Sequence, residues 1–482
     1  MGELKQKAVK GVAWNSIRSL CSTGINFIFM IFMTRLLTPD DYGMVGMLAV
    51  FTTIASAFID CGFGQAIVRK QDRTVLDEST VYFFSIGASV MCYLVIFLIA
   101  PWVGVFYEMP DLVLILRVMS LSLVVSSLYS IQTLQYQIKL DFKTPSLIAL
   151  SCNVFSGIVG LVLAYYKFGV WALVWQQLLS ATFTAIVFIV VSEWHPVWGF
   201  SIKSFREMFA FGSNLLGARM LNIIYANISP VFIGKAYSAA DLGLLSKGHS
   251  IAGFPANTIF GVLYTVSYPL LCKLQNDRRT LAEIYRRCIR VSSFVIFPVM
   301  TTLMVVGIPL MVFMFGDQWE ESGRYLMLCC YPWMIVPVQS LNLCLLQVLG
   351  RSDLTLKLEI VGKILGVTML VICLPISIYA MCYGSIIVVS LCFFVNTHYT
   401  SDFIDLTLRQ QMVDVGRSLG LSAVMGIASY FIMTLFVSNL IQIIVGISSC
   451  IVIYLGLAVI FRMRELKELI DFFKYKNDSD KR

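Results

Sequence analysis

Apolar runs of about twenty residues, the length of helix that crosses the hydrocarbon core of a bilayer, recur along almost the whole chain. Allowing about 34 residues for each span and its connection, 482 residues accommodate about fourteen spans. Only 13% of the residues are charged and 58% are apolar, whereas a globular domain carries about a quarter charged, so the water-soluble classes are excluded. No stretch remains that would bury a separate soluble catalytic core. The expected fold is an all-α polytopic membrane protein, with its function inside the bilayer or at its two faces.

The breaks between runs predict helices near 12–36, 42–66, 79–106, 112–137, 145–166, 170–192, 205–234, 240–272, 284–315, 322–349, 355–376, 378–398, 414–437 and 440–462. With the N-terminus inside, most of the 36 Lys and Arg fall in inward connections and tails, leaving Arg35, Lys167, Lys235 and Arg324 outside. That asymmetry sets the orientation, with both termini cytoplasmic. The net charge of +8 is therefore a topology signal, and no nucleic-acid partner is inferred from it.

The first run follows Lys5, Lys7 and Lys10 like a signal peptide, but it continues to about Leu37 without a small-residue cleavage site and reads as a retained helix. The thirteen cysteines form no CxxC or Cys/His cluster, and His195, His249 and His398 are far apart. No metal site, disulfide framework or cofactor is expected. Ile202, Phe205 and Phe209, and likewise Leu466, Leu469, Ile470 and Phe473, recur at helical spacing among charges and predict amphipathic segments on the inner membrane surface. Thr280 and Glu283 read as a capping box opening the ninth helix.

Residues 38–43, Thr-Pro-Asp-Asp-Tyr-Gly, and 238–243, Ser-Ala-Ala-Asp-Leu-Gly, share the pattern [Ser/Thr]-x-x-Asp-x-Gly. Each follows the first helix of a six-helix set, and Pro101 and Pro309 fall in similar places later in each set. An even number of helices per repeat makes the repeats parallel, related by an axis along the membrane normal. Residues 1–200 and 201–400 are thus expected to form two six-helix bundles flanking a central cavity, followed by two added helices over 401–462 and a basic cytoplasmic tail over 463–482. Asp40 and Asp41 resemble the acidic pair of a membrane glycosyltransferase, but the repetition favours capping: Thr38 and Ser238 as N-caps, Asp41 and Asp241 three residues on, Pro39 in the first turn.

Five cations fall within spans, and a cation at the centre of a span costs about 2.5–3.5 kcal/mol on insertion scales, which makes each a candidate site residue. Arg219, about fourteen residues or roughly 21 Å into the seventh helix, is too deep to snorkel easily. Arg18 shares a face with Asn15, Ser22 and Asn26, a polar stripe aimed at the bundle interior. Lys247, Arg117 and Lys363 are nearer helix ends, where snorkelling competes with a binding role. Asn222 lies near Arg219, and Asn153, Gln176, Gln177, Gln339 and Asn342 add hydrogen-bonding capacity that commonly serves helix–helix contact. The carboxylates read as lying in loops, tails or near inner helix ends, as Asp60 and Glu359 do. A positive cavity without acids binds an anion, with Arg gripping a diphosphate through its planar fork and Lys acting as a point charge. An exporter of cationic drugs ordinarily needs a buried carboxylate.

Thr34-Arg-Leu-Leu-Thr-Pro-Asp-Asp-Tyr-Gly43 with Asp60-Cys-Gly-Phe-Gly-Gln-Ala-Ile-Val-Arg69 resembles polysaccharide flippases of the Wzx and WzxC type. Ile233-Gly-Lys-Ala-Tyr-Ser-Ala-Ala-Asp-Leu-Gly243, Pro255 and Val266-Ser-Tyr-Pro-Leu270 agree, and the likeness extends over about residues 10–400. These flippases sit in the multidrug/oligosaccharidyl-lipid/polysaccharide (MOP) exporter superfamily. The resemblance implies alternating-access transport of a polyprenyl-diphosphate-linked oligosaccharide from the inner to the outer leaflet of a bacterial cytoplasmic membrane, for surface polysaccharide such as lipopolysaccharide or exopolysaccharide. It also implies a polysaccharide polymerase as partner and a cationic cavity matched by Arg18, Arg219 and Lys247. A coupling ion, proton or sodium, is left open. The alternatives are a lipid-linked peptidoglycan precursor flippase or a multidrug exporter of the same superfamily; a membrane glycosyltransferase or polymerase would ordinarily show a large outer loop, and every outer connection is short.

Overall fold

A computed structural model describes residues 24–466 apart from 140, 402 and 405. The described residues are helical, without strands. The chain separates into two compact units, residues 1–243 and 244–482. The first holds α1 (Gly24–Leu36), α2 (Pro39–Asp60), α3 (Phe63–Arg69), α4 (Val75–Tyr107), α5 (Asp111–Ser127), α6 (Ser130–Ile138), α7 (Lys143–Tyr165), α8 (Val170–Val191), α9 (Ile202–Ala236) and the first turn of α10 (Ala239–Lys273). The second holds the rest of α10, then α11 (Arg278–Val305), α12 (Gly307–Phe315), α13 (Glu320–Val348), α14 (Ser352–Cys373), α15 (Ile378–Ser401), α16 (Leu408–Thr434) and α17 (Asn439–Ile460).

Nine helices among the described residues are long and apolar enough to cross a membrane, ten if α5 and α6, bent by 42° at their junction, form one span. Helices α9, α10 and α14 are also long enough, at 35, 35 and 22 residues. Their charges and amides lower their hydropathy, which is what a helix facing a polar interior carries. These helices are consistent with the spans expected from the sequence, the first of which lies partly outside the described residues, and the protein is an all-α polytopic membrane protein.

Local sequence explains where the helices start. Thr38 caps α2, its backbone N–H and hydroxyl both donating to Asp41 Oδ2 at 2.9 and 2.8 Å, with Pro39 in the first turn. The second copy of the motif repeats this geometry: Ser238 N–H and Oγ donate to Asp241 Oδ2 at 3.2 and 2.7 Å. The capping box expected at Thr280 is corrected. Helix α11 opens three residues earlier on Asp277, whose side chain accepts from Thr280 N–H at 3.1 Å and Oγ1 at 2.7 Å. An ionised Asp is a strong N-cap, so it displaces the later Thr. The Thr280 hydroxyl in turn holds the Asp277 carboxyl below its usual range.

The repeated glycines have a tertiary role. A Cβ at Gly43 would fall on the carbonyl oxygen of Ala239, and one at Gly243 on that of Pro39. The first turns of α2 and α10 thus cross backbone to backbone, each copy's glycine against the other copy's first helical residue. Gly43→Ala is expected to cost about 1–3 kcal/mol through overpacking. Gly46→Ala, whose Cβ would meet only the Leu242 side chain at 3.5 Å, serves as control. Equal thermal unfolding of the two variants in detergent would show that the crossing is not tight.

Candidate functional site

Helix α2 stops at Asp60 because Cys61 and Gly62 both take left-handed backbone angles, φ 40° and 71°, turning the chain into α3. Gly62 supplies that conformation at little steric cost. Helix α9 crosses this turn closely: a Cβ on Gly62 would lie 3.0 Å from Gly212 Cα, and one on Gly212 would strike the Cys61 carbonyl. Seven residues along α9, about 10 Å, Arg219 Nη1 donates to Asp60 Oδ2. The aromatic start of α9 supports this placement. Phe205 sits with Phe63 of α3 and Phe84 of α4 at ring-centroid distances of 5.9 and 5.1 Å, and Phe63 meets Phe84 edge-on at 4.8 Å. The segment expected to lie on the membrane surface is therefore packed against protein through Phe205, because its apolar face finds α3 and α4.

Asp60 lines a cavity of about 510 Å³ among α2, α3, α4, α5, α6 and α8. Its walls carry hydroxyls: Thr52, Thr53 and Ser56 from α2, Ser85 from α4, Ser122, Ser126 and Ser127 from α5, and Ser130 from α6. Phe63, Ile131 and Leu134 form an apolar part of the lining. Several of the hydroxyl protons are already committed to the helix backbone. Thr52 and Thr53 donate to the Ala49 carbonyl at 3.0 and 2.7 Å, Ser122 to Met119 at 2.7 Å, and Ser127 to Val124 at 2.7 Å. Their oxygens are left as acceptors. By contrast, Ser56, Ser85 and Ser126 hydroxyls have no partner among the described residues. Gln177 Nε2 donates to Ser122 Oγ at 3.4 Å.

A second cavity, about 270 Å³, is lined by Asn26 of α1, Asn153 of α7 and Gln176 of α8, with Tyr42 and the methionines 30 and 33. Asn153 Oδ1 accepts from Ser180 at 2.8 Å. Amides there offer donors and acceptors without charge.

The other expected cations that are described have contacts of their own. Arg18 and Asn15 lie outside the described residues. Arg117 stacks on the Phe97 ring, 3.9 Å from its centroid, and donates to the Phe97 carbonyl at 3.3 Å, so it is held by α4. Lys363 lies 3.8 Å from Glu359, one turn away on α14. Lys247 is only 6% exposed, with its ammonium 5.6 Å from the centroids of both Phe315 and Trp319. Cation–π contact within protein, rather than snorkelling, accommodates it. Asn222 is exposed on α9, one turn beyond Arg219.

Two expectations are corrected. Arg219 was expected to face no carboxylate, yet Asp60, at an inner helix end, is its partner. Buried carboxylates also exist. Asp414 of α16 accepts from Arg286 Nε and Nη2 at 2.8 and 3.1 Å and lies 3.9 Å from Arg290, which is 3.4 Å from Glu465. At the start of α4, Asp77 and Glu78 are buried against Lys70 at 3.2 Å and Arg73 at 3.5 Å, and Trp194 Nε1 donates to Glu78 at 2.7 Å. All are paired with arginine, lysine or tryptophan. The sequence signal that was available is the placement of these acids at the start of helical runs rich in nearby Arg and Lys.

The arrangement of helices is shared with solved membrane transporters. The lipid II flippase MurJ in an inward closed conformation superposes with a TM-score of 0.70 at 14% identity, covering 93% of this chain and 99% of that one. An inward-facing multidrug resistance MATE family transporter of the MOP superfamily gives 0.59 at 15% identity, covering 79% and 95%. The fold is shared with these transporters. The chain belongs to the polysaccharide biosynthesis protein family, whose sequence profile matches residues 32–324. Its relatives include the teichuronic acid biosynthesis protein TuaB of Bacillus subtilis, 24% identical over 356 residues covering 73% of this chain and 74% of TuaB. The lipopolysaccharide biosynthesis protein WzxC of Escherichia coli is 22% identical over 375 residues, 77% and 75% of the two chains. The succinoglycan biosynthesis transport protein ExoT of Rhizobium meliloti is 20% identical over 313 residues, 65% and 63%.

Proposed function

We propose that the protein is a flippase that moves a polyprenyl-diphosphate-linked oligosaccharide from the inner to the outer leaflet by alternating access, for surface polysaccharide synthesis. The observation that carries this reading is Arg219 joined through Asp60 to a hydroxyl-lined cavity among membrane-spanning helices. Each sugar hydroxyl taken into hydrocarbon without a partner costs several kcal/mol. A protein that supplies oxygens along the path removes that cost, while the lipid tail never leaves the bilayer. Arg219 is the group for the diphosphate, since a guanidinium grips phosphate oxygens in pairs. Family membership supports the glycan-lipid class, as do relatives named for polysaccharide biosynthesis or transport.

The deletion strain is expected to accumulate one lipid-linked oligosaccharide at the inner leaflet, and the intact gene to clear it. Accumulation of no lipid-linked intermediate would overturn the reading. The site of action is proposed as the bacterial cytoplasmic membrane, with both termini inside and a polysaccharide polymerase as downstream partner. Labelling of a cysteine placed at 277 by a periplasmic reagent would sink that topology. Residues 1–200 and 201–400 are proposed as the two repeats, with the helices over 401–462 added to the second.

The protein is proposed to perform no glycosyl transfer. Asp41 is occupied in capping α2, a bond pattern worth about 1 kcal/mol in typical caps. An Asp40→Asn, Asp41→Asn double variant is therefore expected to lose about that much stability and to keep transport per folded molecule. Normal expression with loss of a covalent product step would refute this.

A further inference from the structure

We infer that the hydroxyl-lined cavity beside Asp60 is a subsite for the first sugar of the glycan, and that it takes a neutral ring and rejects a uronate. The inference rests on the flippase reading and specifies its substrate. Arg219 and Asp60 touch each other, and in a polyprenyl-diphosphate-linked glycan the first sugar is bonded directly to the diphosphate. A diphosphate on Arg219 therefore brings that sugar to Asp60 and the cavity behind it.

The chemistry of the walls defines the ring. Thr52, Thr53 and Ser130 spend their protons on helix carbonyls and line the cavity as acceptors, as do Ser122 and Ser127, whose oxygens also meet Gln177 Nε2 at 3.4 Å and Ser89 Oγ at 2.9 Å. Asp60 adds a carboxylate, which accepts from two neighbouring hydroxyls of one ring. An acceptor-rich wall complements a donor-rich ligand, and a sugar ring carries several O–H donors. The free hydroxyls of Ser56, Ser85 and Ser126 provide the few donors that ring and glycosidic oxygens accept. The apolar patch of Phe63 and Ile131 suits the C–H face of a ring. Among the described residues that line the cavity there is no cation. With Arg219 engaged by the diphosphate, a uronate would set its carboxylate against Asp60 and a wall of oxygen lone pairs, a like-charge juxtaposition that disfavours it. Size separates a sugar from a bare ion: at about 510 Å³ the cavity falls in the range of about 300–1,000 Å³ typical of small-molecule sites, far larger than one dehydrated cation.

The test uses the full chain in nanodiscs and three probes: polyprenyl diphosphate, its glucosyl form and its glucuronosyl form. The wild type is expected to bind the glucosyl lipid at least about tenfold more tightly than the glucuronosyl lipid, the margin set by the like-charge penalty. In the Asp60→Asn protein that margin is expected to shrink, while the Ser56→Ala, Ser126→Ala protein is expected to bind both sugar lipids more weakly and bare polyprenyl diphosphate as before. Equal binding of the two sugar lipids by the wild type overturns the subsite, as does a margin that survives Asp60→Asn. A preference that appears only with sodium present, and follows sodium rather than the sugar, marks a cation site and also overturns it. Binding of none of the three lipids overturns the flippase reading itself, and the inference falls with it.

Discussion

Arg219→Ala is expected to lower transport by about 100-fold while leaving the protein folded. The size follows from the charge-assisted contacts an arginine makes to a diphosphate, whose loss costs about 2–5 kcal/mol in desolvated charge pairs. Stability is expected to change by no more than about 1 kcal/mol, because the side chains of Arg219 and Asp60 are 58% and 45% exposed and such a pair is worth little. Arg219→Lys should recover only part of the transport, since a point charge does not reproduce the planar fork. The Asp60 partner adds a decisive control. If the arginine served only to neutralise Asp60, an Asp60→Asn, Arg219→Ala double variant would transport normally. The binding reading expects it to remain as poor as Arg219→Ala. Full rescue in the double variant, or loss of thermal stability in Arg219→Ala with unchanged transport per folded molecule, would make the residue structural.

The largest effect on stability is expected at Asp414→Ala. Its carboxylate is 7% exposed and accepts from Arg286 Nε and Nη2, with Arg290 nearby and Glu465 beyond it. Removing one partner of a buried pair leaves the other charge uncompensated, at about 3–5 kcal/mol. The low end applies, because the side chains of Arg286 and Arg290 are 29% and 23% exposed and retain some access to water. A large fall in thermal unfolding temperature and in yield is the expected readout. Replacing both members, as Asp414→Leu with Arg286→Met, should recover most of the loss, since an apolar pair of similar volume has no desolvation penalty. Wild-type stability in Asp414→Ala would show that the pair is too wet to matter.

The candidate site was half legible in the sequence. Arg219 stood out because a cation far into an apolar run is costly wherever it ends up. Asp60 did not, since a carboxylate at a helix end reads as solvated until a partner is seen, and that partner is 159 positions away. The serines and threonines of α2 and α5 gave no signal either. Such residues are ordinary in membrane helices, where they bond back to their own backbone. Only packing decides that their oxygens converge on one space.

What the sequence determined alone was everything set by a window of its own neighbours. A run of about twenty apolar residues chooses the bilayer by its own transfer free energy, and Thr38 with Asp41 closes a helix end within four residues. Tertiary structure decided which helix faces meet. The crossing of Gly43 with Ala239 and of Gly243 with Pro39, the capture of Arg219 by Asp60, and the burial of Asp414 against Arg286, 128 positions away, all depend on contacts between distant helices. Lipid solvates every apolar face alike, so membrane helices lack a strong hydrophobic code for their neighbours and associate through close packing and polar pairs. Those terms exist only once two surfaces are in contact.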